Sequence, residues 1–141
     1  MTAPIMGVGR TALIATILVS VGPLSMALYT PAMPMLVEAF DTTHSVIKIT
    51  LTAYFAGFAL SQLAAGPFAD ALGRRRSTII FIGVYILGSL AAVLAPTVEI
   101  LIVARLVQGV GAAIGITVSR AIIRDLYTGE RGARLFNLVA I

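Results

Sequence analysis

Three stretches of this chain carry no charge at all, residues 11–37, 49–69 and 77–98, and a fourth, 100–119, carries only Arg105. A helix needs about 20 apolar residues to cross the hydrocarbon core of a bilayer. Only helices and closed barrels satisfy every backbone N–H and C=O there without water. The second and third stretches are joined by Gly66-Pro67-Phe68-Ala69-Asp70-Ala71-Leu72-Gly73-Arg74-Arg75-Arg76, four charges and two glycines in eleven residues. A joint that short makes the two neighbours antiparallel. The pattern predicts an all-α fold, a polytopic transmembrane helical bundle with spans near 11–37, 49–69, 77–98 and 100–119. A fifth apolar run opens at Leu135 and reaches only Ile141, too short to span, so the chain reads as a partial N-terminal transmembrane region.

Composition agrees. Charged residues make up 11% of the 141 and apolar ones 59%, whereas a soluble domain averages about 25% charged. There is no cysteine, which excludes disulfides and thiolate metal sites. The single histidine, His44, cannot build a metal cluster, and no hydrolase or nucleotide-binding constellation is present. The expectation is a non-enzyme with no cofactor and no metal. The net charge of +4 would suggest nucleic acid in a soluble chain. Here the basic residues fall between apolar runs, so the implied partner is the lipid bilayer. The first run is 27 residues long, beyond the roughly 7–15 of a signal-peptide core, and is expected to be a retained helix.

Lysine and arginine accumulate on the cytoplasmic side of membrane proteins. With the N-terminus inside, the inner segments hold Arg10, Arg74, Arg75, Arg76, Arg120, Arg124, Arg131 and Arg134, and the outer ones only Lys48. The predicted location is the cell inner membrane, multi-pass, with a cytoplasmic N-terminus. The segment 120–134 reads as partly helical at the interface.

Arg105 is the residue most expected to act. A charge at the centre of a membrane helix costs about 2.5–3.5 kcal/mol on insertion scales and normally faces a bundle interior or a watery cavity. The bland alternative is snorkelling to the outer interface and Glu99, since Arg105 lies about 8 Å of helix past Ile100. Gln108, one turn on, could hold the arginine or line the cavity. Gly109-Val110-Gly111 lacks the third glycine of a dinucleotide fingerprint, position 114 being Ile. Small residues at Ala53, Gly57, Ser61 and Ala65, and at Gly109, Gly111 and Gly115, are candidates for close helix packing. Near the end of the first run lies Tyr29-Thr30-Pro31-Ala32-Met33-Pro34. A proline frees the carbonyl four residues back. Either Met26, Tyr29 and Pro31 line a substrate cavity, or Tyr29 anchors at the interface and the prolines end the helix. In the 66–76 joint, Gly66 and Gly73 suit tight turning, Asp70 is expected near the start of the third helix, and Arg74 is within reach of it.

Two of these segments resemble a known family. The joint fits G-x-x-x-D-x-x-G-R-[KR], and residues 105–113 fit R-x-x-Q-G-x-G-A-A. Both resemble signature motifs of the major facilitator superfamily, helices 1–4 of its 12-helix fold. Tyr29–Pro34 and Ser119–Tyr127 resemble its Bcr/CflA-type drug-resistance branch. The resemblance implies a secondary transporter that works by alternating access, most simply proton-coupled efflux of drugs or small apolar compounds. It assigns Arg105 and Gln108 to proton coupling, and Gly66, Asp70, Gly73, Arg74 and Arg75 to a latch on the inner side. Ala71 stands where the family often has a basic residue and Phe68 where leucine is usual, so the charge relay is expected to be weaker. The partners implied are a small-molecule substrate and protons, with the complete protein a monomer. The rival readings are an uptake symporter of the same fold and an inactive truncated membrane remnant or scaffold. A small four-helix exporter would need an embedded Glu that 11–37 lacks.

Overall fold

The computed structural model describes residues 8–126, and all its elements are helices: α1 (Val8–Ala39), α2 (His44–Leu72), α3 (Arg74–Val93), α4 (Val98–Ala112) and α5 (Ile114–Leu126). The apolar run expected from Leu135, and the 127–134 part of the amphipathic segment, lie outside the described residues. Four helical stretches are long and apolar enough to cross a membrane: Gly9–Ala39, His44–Leu72, Arg74–Val93 and Val98–Ala121. The shortest, 20 residues, extends about 30 Å, the thickness of a hydrocarbon core. The last combines α4 with most of α5. Only Ala113 interrupts the two helices, and its own backbone is helical, with φ −62° and ψ −32°.

The outside of the bundle is apolar. Leu63 is 79% exposed and Val93 82% exposed, which suits lipid and would be unfavourable in water. The inside mixes small residues such as Ala15, Ala53, Ala65 and Ala104 with larger ones such as Ile47, Tyr54 and Ile114. Over half of the Val98–Ala121 span is buried, against a third or less of the others. This span packs on α2 and α3 through α4 and on α1 through α5.

Its glycines explain how. A Cβ on Gly109 would overlap the Tyr54 carbonyl oxygen of α2. One on Gly111 would strike the Tyr85 and Phe81 backbone of α3, and one on Gly115 the Leu18 carbonyl of α1. Three glycines on one span thus meet three different helices. On α2 the stripe Ala53, Gly57, Ser61 and Ala65 is buried throughout, and Ser61 donates a hydrogen bond to the Val110 carbonyl, 3.1 Å away.

Two helix starts and one helix end are capped. Thr43 and Thr97 start α2 and α4, their hydroxyls accepting from the Val46 and Ile100 N–H groups. α1 closes with Thr42 N–H bonded to the Val37 carbonyl and Asp41 N–H to that of Glu38, a Schellman closure that puts Asp41 at φ 45°.

Two expectations need correction. The 66–76 joint is not a loop. Gly66 to Leu72 belong to α2, with Pro67 inside the helix, and α3 begins at Arg74. Gly73 alone turns the chain, at φ 81° and ψ 147°, where side chains are strongly disfavoured. Gly66 therefore makes no turn, and a Cβ there would meet nothing within 4 Å. Asp70 lies in the last turn of α2 rather than at the start of α3, so the favourable N-terminal dipole is not its own helix's. The prolines of α1 also do not end it: Pro23, Pro31 and Pro34 all lie within the 32-residue helix.

Candidate functional site

The site is the surrounding of Arg105, which is 3% exposed. Its Nη1 donates to Gln108 Oε1 at 2.5 Å. The i, i+3 spacing puts the two side chains on one helix face. Gln108 Nε2 in turn donates to Ser89 Oγ of α3 at 2.8 Å, and Ser89 Oγ donates to the Tyr85 carbonyl. Gly88 makes this possible. A Cβ there would lie only 2.5 Å from the Gln108 amide nitrogen, so the glycine lets α4 come close enough for Gln108 to reach the next residue.

Two tyrosines hold the guanidinium from other helices. Its carbon lies 4.0 Å from the centre of the Tyr29 ring of α1 and 4.7 Å from that of Tyr54 of α2, within range of cation–π attraction. Both rings are anchored through their hydroxyls. Tyr29 pairs with Thr50 Oγ1 and Tyr54 donates to the Gly22 carbonyl at 3.4 Å. A second pair, Ser25 with Tyr85, links α1 to α3. Arg105 therefore does not snorkel outward. Glu99 is exposed, and the arginine is turned into the bundle.

Arg105 and Gln108 line a cleft of about 420 Å³ among α1, α3 and α4, with Tyr29 and Ser89 on its polar side and Leu36, Phe40, Val93 and Leu101 among its apolar walls. The cleft reaches the end of the bundle that carries residues 40–43 and 94–97, where Phe40 and Ala95 line it. Gly73 and the arginines Arg74 and Arg75 are at the opposite end of the helices. Of the proposed cavity residues, Tyr29 lines this cleft. Met26 is half-buried, Pro31 is exposed, and neither lines it. Among the described residues no group of three or more His, Cys, Asp or Glu side chains is placed to hold a metal ion.

The sequence reading passed over Tyr54, Thr50, Ser89 and Gly88. Tyr54, Thr50 and Ser89 carried a usable signal: a hydroxyl within an apolar span must find a partner, because hydrocarbon offers none. Gly88 carried none, since small residues are common in membrane helices and this one matters only through what α4 brings against it.

A membrane bundle with a buried arginine relay beside a cleft is the architecture of a multi-pass membrane protein with an internal polar site. The sequence pattern of the Major Facilitator Superfamily matches residues 14–141, and the chain belongs to that family. It is 37% identical over 120 residues to an uncharacterised MFS-type transporter, YdgK, of Bacillus subtilis, covering 85% of this chain and 30% of that protein. It is 30% identical over 115 residues to multidrug resistance protein D of Escherichia coli, with 82% and 29% covered. To a chloramphenicol resistance protein of Pseudomonas aeruginosa it is 35% identical over 107 residues, with 76% and 26% covered. The chain thus spans less than a third of the length of these relatives.

Proposed function

We propose that the complete protein is a proton-coupled exporter of drugs or small apolar compounds, seated in the inner membrane with its N-terminus in the cytoplasm and working by alternating access. The observation that carries this reading is the buried Arg105–Gln108 pair bordering the cleft. A buried cation without an acidic partner among the described side chains is a group whose energy changes strongly when a proton or ligand charge arrives nearby. The names of the drug-resistance relatives support efflux, and the arginine-rich inner segments support the orientation. Arg105 responds to protonation, with Gln108 holding it. Gly66, Asp70, Gly73, Arg74 and Arg75 form the inner latch, in which Gly73 is the pivot and the two helix ends carry the charges. The proton gradient supplies the driving force, with no cofactor.

The test uses everted membrane vesicles holding the complete protein. A drug added to vesicles with an imposed acid interior should release protons, read by a pH-sensitive dye, and Arg105→Ala should abolish the release. Proton movement unaffected by Arg105→Ala would remove the coupling role. Substrate-linked proton uptake in the opposite sense would replace export by symport.

A further inference from the structure

We propose that Arg105 is the docking point for the negatively charged head of an otherwise apolar small molecule lying in the 420 Å³ cleft. The inference rests on the reading of that cleft as a transporter's substrate site and adds the charge of what it takes.

A guanidinium has five N–H donors and one full charge. Gln108 takes a bond from Nη1. Nε and Nη2 are buried and bond to no described residue. The faces of Tyr29 and Tyr54 attract the cation, but an aromatic face offers no pair of acceptor oxygens in the guanidinium plane, which is the arrangement arginine binds best. The acidic side chains that the structure describes do not fill the gap: Glu38, Asp41, Asp70 and Glu99 are all exposed. Among the described residues, Arg105 is the one charged side chain lining the cleft.

The cleft has the volume of a small-molecule site, and its walls at Leu36, Phe40, Val93 and Leu101 suit an apolar body. A carboxylate head against Arg105 supplies the missing acceptors while the body covers these walls. A neutral amide brings one acceptor oxygen and no counter-charge to Nε and Nη2, and a cation is repelled. Tyr29 is the movable cover. It lies over the guanidinium and also lines the cleft, and its hydroxyl is tied to Thr50. A swing of its ring exposes the donor edge to the incoming head.

The experiment compares two compounds with the same apolar body, 1-naphthoate and 1-naphthamide, by titration calorimetry on the complete protein in an uncharged detergent. The carboxylate should bind about tenfold more tightly or better, the scale of one charge-assisted hydrogen bond. Arg105→Met should erase the preference and keep naphthamide binding. Equal affinities in the wild type overturn the proposal. So does a preference for the amide, the result expected if a carboxylate elsewhere in the complete protein already occupies the guanidinium. If Arg105→Met does not fold, Leu101→Trp, which fills the cleft, must abolish naphthoate binding, and naphthoate still bound there overturns the proposal. Binding is measured without a gradient. The carboxylate preference and proton-coupled export can therefore fail independently of each other.

Discussion

Gly57 of α2 and Gly109 of α4 are reciprocal: a Cβ on Gly57 would overlap the Leu106 carbonyl oxygen, and a Cβ on Gly109 the Tyr54 carbonyl oxygen. Each helix presents bare backbone where the other presents a carbonyl, and the close approach brings Arg105 against Tyr54. Overpacking a tight contact costs about 1–3 kcal/mol and sometimes more. Gly57→Ala and Gly109→Ala should each lower the thermal unfolding midpoint of the complete protein in detergent. The double variant should lose less than the sum, because one displacement of α4 relieves both clashes. Gly66→Ala on the same helix, with open space around it, should be neutral or gain up to about 1 kcal/mol of helix propensity.

Gly73 turns α2 into α3 with a conformation that side chains rarely adopt. Gly73→Ala should cost about 1–3 kcal/mol, read as a lower midpoint. If the proposed latch pivots there, it should also slow export more than an equally destabilising change in α3. An unchanged midpoint would show that the turn relaxes to another shape.

Asp41 offers the opposite case. It holds φ 45° at the end of α1, which costs a non-glycine residue roughly 1–2 kcal/mol, partly offset in glycine by about 0.5–1 kcal/mol of extra backbone entropy. Asp41→Gly should therefore raise the midpoint slightly, by the equivalent of about 0.5–1 kcal/mol. No rise, or a fall, would mean that the aspartate side chain contributes to the turn.

Gln108 is the described side chain that accepts a hydrogen bond from Arg105. Gln108→Leu fills nearly the same space but leaves a buried charge with one fewer acceptor, and should destabilise by about 1.5–3 kcal/mol. Gln108→Glu keeps the shape and adds the counter-charge the guanidinium lacks. Its effect on stability should be smaller, measured by the same melts, while any preference for anionic ligands should fall. Equal losses in the two variants would point to packing rather than charge.

Much of this architecture was open to reading because hydrocarbon imposes a single demand on the backbone, and uncharged runs of sufficient length meet it in one way. Arg105 stood out for the same reason, as a cost in lipid that needs a compensating environment. What surrounds it was less legible. Tyr54 and Ser89 become partners of the relay only when α2 and α3 close on α4, and the closeness is set by glycines whose opposite numbers are backbone atoms with no identity in the sequence. The 66–72 stretch misled in a different way. Proline, glycine and an aspartate together suggest a loop, yet each is tolerated in the last turns of a long helix, and only Gly73 needed to break it.

Gly109, Gly111 and Gly115 each rest on main-chain atoms of a different neighbour. Main-chain atoms are the same whatever residue carries them. Substitutions at Leu18, Tyr54 or Tyr85 therefore leave these three points of contact in place, whereas a single methyl group added at any of the three glycines strikes the neighbouring backbone. At these three contacts the tolerance to sequence drift is lopsided: the surrounding helices can change their side chains and the central span cannot, while at Gly57 and Gly88 the same constraint falls on α2 and α3.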